Sequence, residues 1–242
     1  MKQYFYSKLS VVRICLLTFF LFAFHSDTPL SLYIIPIAAY SIDSADLDMD
    51  GDIDIVTGHL YNSQTHWSGI SIIKNNSYGY FNLEDSIYFF GWQSVLCEQL
   101  DNDSLPGIIM KKETTNTEYI GILYNNNYAD SLFLNTNKYD GIEGITFGDI
   151  DGNGFKDIAF YCNTKQYWGV FYNYGYRSFS APEFHNVTGT YPSNIACGDL
   201  NGDGRDDVVL SGQITAVFYS FPTGFQQVVL ESNNYKDMLS IV

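Results

Sequence analysis

The feature that most constrains this chain is an acidic loop that returns at a period of about fifty residues. Residues 148–160, "GDIDGNGFKDIAF", and residues 198–210, "GDLNGDGRDDVVL", are two copies, and residues 45–56, "ADLDMDGDIDIV", are a third. Their first carboxylates, Asp46, Asp149 and Asp199, stand 103 and 50 residues apart, so the wider gap predicts an intervening copy. Residues 94–110, "SVLCEQLDNDSLPGIIM", supply it in worn form: Asp101 and Asp103 are kept, but Gln99 and Gly107 take the first and last carboxylate places. Fourteen of the 27 acidic residues fall in these four nine-residue windows. Self-similarity at such a period marks a chain of repeated supersecondary units, each burying its apolar surface against the next.

The text between the loops repeats as well. After each loop comes a short apolar run ("DIDIVTG", "PGIIMKK", "KDIAFYC", "DDVVLSG") and then a second ("GISIIKNN", "YIGILYNN", "YWGVFYNY", "ITAVFYSF"). A third follows a turn ("GYFNLEDSIYF", "ADSLFLNT", "YRSFSAPEF", "TGFQQVVL"), and a fourth leads into the next loop. Runs of this length, rich in Ile, Val, Phe and Tyr and bounded by Gly, Asn, Asp or Ser, read as strands. Four strands per period of about fifty residues is the pattern of a β-propeller blade. The expected fold is therefore all-β, a β-propeller of four-stranded blades over residues 38–242, with blades starting near 41, 93, 144 and 194. "MLSIV" (residues 238–242) reads as a strand leading into a partial fifth blade or closing a ring onto an earlier one; the four repeats are expected to be part of a larger propeller.

The loops have the chemistry of a cation site. Positions 1, 3, 5 and 9 are Asp46, Asp48, Asp50 and Asp54 in the first copy, Asp149, Asp151, Asn153 and Asp157 in the third, and Asp199, Asn201, Asp203 and Asp207 in the fourth. Alternate oxygen-bearing side chains on a tightly turning backbone converge on one point, and hard oxygens without His or Cys select Ca²⁺ over zinc or copper. Position 7 varies among Asp52, Phe155 and Arg205, which suits a ligand supplied by the backbone carbonyl. An EF-hand loop would need Glu at position 12 and flanking helices; Thr57, Phe160 and Leu210 stand there, and β-type runs follow. Solvated Asp/Gly turns would explain one copy, but not three with the same ligand places. Three Ca²⁺ sites are expected, and the loop from Gln99 to Gly107 is expected to be empty.

Composition limits the partners and the compartment. The net charge is −15, and it is more negative still without Lys2, Lys8 and Arg13 near the N-terminus, so nucleic acid and anionic membrane surfaces are excluded as partners. Those basic residues precede the apolar run "ICLLTFFLFAF" (residues 14–24), too short to span a bilayer. Residues 1–26 therefore read as a signal peptide, with an uncleaved membrane anchor as the alternative and the only route to a membrane. Either places the rest of the chain outside the cytoplasm. Beyond Cys15, Cys97, Cys162 and Cys197 form no disulfide framework, and Phe147 at the place matching Cys97 and Cys197 marks it as a core position.

Residues 147–160, 197–210 and 44–56 resemble the FG-GAP/VCBS repeat, the blade unit of integrin-alpha-like propellers. The resemblance implies a secreted or cell-surface propeller whose loops bind Ca²⁺ through positions 1, 3, 5 and 9 and a carbonyl at 7. It also implies a binding role in adhesion or recognition of a protein or glycan, with polysaccharide lyases among the relatives as the enzymatic alternative. Catalytic candidates are sparse. His25, His59, His66 and His185 have no triad or metal spacing, and His59, His66 and Trp67 read as a solvated inter-strand loop. Most rings of "YWGVFYNYGY" and "SIYFFGW" suit packing between blades, leaving Trp67, Trp92 and Trp168 as candidate exposed sugar platforms.

Overall fold

A computed structural model describes residues 19–22, 31–34, 39–62, 67–76, 81–88, 92–113, 118–124, 130–136, 141–162, 166–189 and 191–230. Among them are eighteen strands, and no helix is long and apolar enough to cross a membrane. Within the expected leader, β1 (Phe19–Phe22) pairs antiparallel with β2 (Ser31–Ile34). The remainder of residues 1–26, His66 and the run at 238–242 lie outside the described residues.

Four four-stranded sheets follow, each with its strands in chain order. The first holds β3 (Ala39–Ala45), β4 (Asp54–Asn62), β5 (Trp67–Asn75) and β6 (Phe81–Tyr88), and the second β7 (Trp92–Glu98), β8 (Gly107–Glu113), β9 (Glu118–Leu123) and β10 (Ser131–Asn135). The third holds β11 (Ile142–Gly148), β12 (Asp157–Cys162), β13 (Tyr167–Phe171) and β14 (Glu183–Asn186), and the fourth β15 (Asn194–Gly198), β16 (Asp207–Ser211), β17 (Thr215–Phe221) and β18 (Gly224–Leu230). These antiparallel meanders are propeller-like blades, and every acidic loop joins the first two strands of its sheet. The loop is closed by the same ladder pair in three sheets: Ala45 opposite Asp54, Gly148 opposite Asp157, and Gly198 opposite Asp207. A fixed register at the loop's base explains why the carboxylate spacing repeats so strictly.

The chain divides into two compact units, residues 1–97 with 108–112 and residues 98–107 with 113–242. In the first, Val56, Ile70, Ile72 and Val95 are buried, and β7 is tied to β3 by side chains. Val95 N donates to Ser41 Oγ at 2.9 Å and Cys97 N to Asp43 Oδ2 at 2.7 Å. In the second, every residue of β12 and β13 is buried, so these strands read as continuous apolar runs rather than alternating ones. Ile150 of the third loop and Ala159, Trp168 and Val170 of the third sheet share one core with Ile195, Val208, Leu210 and Phe218 of the fourth. Ile150 is the position-2 residue of its loop. Its counterparts Leu47 and Leu100 are also buried, whereas Leu200 is 55% exposed.

Several expectations are corrected here. Trp168 is 0% exposed and is no sugar platform: its ring lies 4.6 Å from His185, 5.4 Å from Phe218 and 5.0 Å from Phe225. His59 is 2% exposed, because β4 continues through it instead of ending in a loop; its Nε2 sits 2.9 Å from Ser71 Oγ and 3.2 Å from Thr57 Oγ1. The third run of the third repeat is not one strand. The chain turns tightly over residues 174–178, with Tyr176 and Arg177 at φ 52° and 63°, and only β14 pairs with β13. Among the described residues Cys97, Cys162 and Cys197 form no disulfide, Cys162 is buried, and burial first, with the Asp206 charge, pushes the Cys197 thiol up.

Candidate metal centres

Each acidic loop is wound by its own side chains. The position-3 oxygen accepts the position-5 amide: Asp48 from Asp50, Asp151 from Asn153, and Asn201 from Asp203, at 3.3, 3.1 and 2.9 Å. The position-5 oxygen in turn accepts the position-7 amide, from Asp52, Phe155 and Arg205, at 2.9, 2.8 and 2.9 Å. Position 1 reaches across the turn, where Asp46, Asp149 and Asp199 accept from Gly51, Gly154 and Gly204 at 3.0, 2.9 and 3.0 Å. These glycines have φ of 91°, 90° and 85°, a left-handed backbone that would strain other residues.

The ninth position has a role that the ligand pattern did not reveal. Asp54, Asp157 and Asp207 are fully buried, and each clips its loop to the sheet. One oxygen accepts the position-2 amide, from Leu47, Ile150 and Leu200 at 3.0, 2.9 and 3.1 Å. The other accepts the amide of Asn75, Asn173 and Ser220 at 2.8, 2.7 and 2.8 Å. Asn75, Asn173 and Ser220 occupy matching places near the end of the second run, and that recurring polar residue was the signal available in the sequence. The position-7 side chains also do separate work: the Phe155 ring lies against Gly175, and the Arg205 stem covers Gly152.

The carboxylates come together in two loops. Oxygens of Asp46, Asp48 and Asp50 lie within 4.8 Å of one another, as do those of Asp149, Asp151 and Asp157. Among the described residues the fourth loop, with Asn201 at position 3, forms no such group of three. Asp46 Oδ1 is buried without a hydrogen-bond partner, a costly state that a bound cation would relieve. Burial, with the neighbouring Asp151 charge, pushes Asp157 up to about 7 despite the amide of Asn173, and burial raises Asp54 and Asp151 in the same direction. By contrast, the amides of Gly204 and its neighbours hold exposed Asp199 below the usual range. An all-oxygen donor set with an orphaned buried oxygen and carboxylates drawn together in space fits a hard divalent cation.

Beside the third loop a depression of about 350 Å³ is lined by Asp151, Tyr172, Tyr174, Glu183, Arg205 and Phe221, among others. Tyr174 is 56% exposed there.

Residues 149–210 run from the third acidic loop through β12 to β16, and they match the family model of an FG-GAP-like repeat. The chain thus carries an FG-GAP-like repeat within a β-propeller-like repeat module. No curated protein matched the chain.

Proposed function

We propose that this protein is a calcium-binding propeller module, exported by its N-terminal leader, that recognises a protein or glycan at the cell surface or in the surrounding medium. The observation that carries the metal reading is the buried, unpartnered Asp46 Oδ1 in a loop where Asp48 and Asp50 already converge. Ca²⁺ would be held by Asp46, Asp48, Asp50 and Asp54 with the Asp52 carbonyl, by Asp149, Asp151, Asn153 and Asp157 with the Phe155 carbonyl, and by Asp199, Asn201, Asp203 and Asp207 with the Arg205 carbonyl. Bound there, the ion neutralises clustered carboxylates and stiffens the corner. The residues themselves wind the turn and anchor it to the sheet.

The depression beside the third loop supports a recognition role. Exposed Tyr174 and Phe221 offer stacking faces, and Asp151, Glu183 and Arg205 offer hydrogen bonds, the mixture that sugar hydroxyls and ring faces require. Thermal unfolding with Ca²⁺ and with a chelator tests the metal: a Tm lower by several degrees in chelator is expected, and an equal rescue by Mg²⁺ would overturn it. A glycan and protein array tests recognition. Saturable binding that Tyr174→Ala abolishes is expected, whereas release of unsaturated sugars would mark lyase chemistry instead.

A further inference from the structure

The second loop has lost its first and last carboxylates, yet it keeps the wound turn. Asp101 Oδ1 accepts the Asp103 amide at 3.2 Å, and Asp103 Oδ1 accepts the Leu105 amide at 2.9 Å, the same two bonds seen in the other three loops. A loop with no cation to hold has no electrostatic reason to keep two carboxylates side by side. The structure supplies the cation from the third blade. Arg177 Nε donates to Asp101 Oδ2 at 2.7 Å, Nη2 to Asp103 Oδ2 at 3.2 Å, and Nη1 to both oxygens of Asp130 at 2.7 and 2.6 Å. The guanidinium carbon lies 4.2 Å from the centroid of the Tyr124 ring, which covers one face.

We propose that the guanidinium of Arg177 is the resident cation of the second loop, which is a latent divalent site that opens when Arg177 is removed. The losses at the ends of the loop match the substitution. Gln99 and Gly107 remove two negative charges, so a monovalent fork replaces a divalent ion. Gln99 Nε2 donates to the Asp103 carbonyl, placing a donor where the other loops place a carboxylate. The turn that presents Arg177 is built for the purpose: Gly175 N donates to Asn173 Oδ1, and Asn173 Nδ2 donates to the Leu100 carbonyl of the second loop at 2.7 Å. Hydrogen bonds led by that to Asp101 raise the Arg177 pKa further, so the clamp does not titrate in the ordinary range.

The inference rests on the calcium reading only for the word latent, and the two can fail separately. Equilibrium dialysis with Tb³⁺, read also by tyrosine-sensitised luminescence, is run on the wild type, Arg177→Gln and Arg177→Gln/Asp103→Asn. One further Tb³⁺ per chain is expected in R177Q, close enough to Tyr124 to add to the luminescence, and it is lost again in the double variant. Gln99 Oε1, buried and without a hydrogen-bond partner, is available to that ion as an additional oxygen. An unchanged ion count in R177Q overturns the latent site, whereas a wild type that binds no ion overturns the calcium reading alone. If R177Q does not fold, Arg177→Ala is refolded with low-millimolar guanidinium chloride. Recovery of Tm by guanidinium but not by equal NaCl supports the resident cation, and equal effects of the two salts overturn it.

Discussion

The second and third acidic loops share one backbone course and differ in how their charge is balanced. In the third, Asp149, Asp151 and Asp157 crowd together, and the buried one among them is pushed up to about 7 by that burial. In the second, Asp101 and Asp103 are spanned by Arg177, and no buried carboxylate stands at position 9 because Gly107 is there. The wound turn is nonetheless common to both. Asx-type bonds from positions 3 and 5 form it in both, and in the second loop the Arg177 guanidinium meets the charge that those bonds bring together.

Asp157→Ala should separate the two loops most strongly. It strands the amides of Ile150 and Asn173 in a buried place and should cost about 3 kcal/mol in urea unfolding. Wild-type stability in Asp157→Ala would mean that position 9 is a ligand and nothing more. Next in size is Gly148→Ala. A Cβ there would lie 2.7 Å from Cys197 Cβ and 2.8 Å from Asp206 Oδ2, so the third and fourth sheets must part, at about 1–3 kcal/mol by chemical denaturation. At the matching place before the second loop stands Glu98, whose carboxylate instead takes Lys156 Nζ at 2.9 Å.

The pH dependence of the ion-free protein sharpens the contrast further. The folded-state pKa of Asp157 is raised, so between its ordinary value and about 7 the native state holds a proton that the unfolded chain releases. Stability in chelator should therefore fall as pH rises through that window, and Asp157→Asn should flatten the slope. Adding Ca²⁺ should lift the high-pH side most, because the ion needs the ionised carboxylate. Stability that rises with pH in chelator would contradict the burial argument. The smallest effect belongs to Lys156→Ala, which removes a half-exposed ion pair and should change stability by under about 0.5 kcal/mol.

Much of the fold was legible because its information is local. Strand runs, the turn glycines and the oxygen-bearing positions sit within nine or ten residues of one another, so the loops, the four sheets and the strand on each side of every loop follow from period and residue type. What failed to be legible depends on neighbours far along the chain. His59 and Trp168 read as polar or exposed because nothing near them in sequence announces Ser71 or Phe218 and Phe225. The break in the third repeat's outer strand is set by a turn whose side chains dock on the second loop, and no pattern within the repeat forecasts it.

The sequence by itself determined the repeating unit: four acidic corners, four meanders of strands, and oxygen chemistry suited to a hard cation. Only the tertiary structure decided how each corner's charge is met. Asp157 is buried by the sheet it clips, and Arg177 reaches Asp101 across more than seventy residues of chain. Charge balance depends on distance in space, to which a one-dimensional pattern is blind.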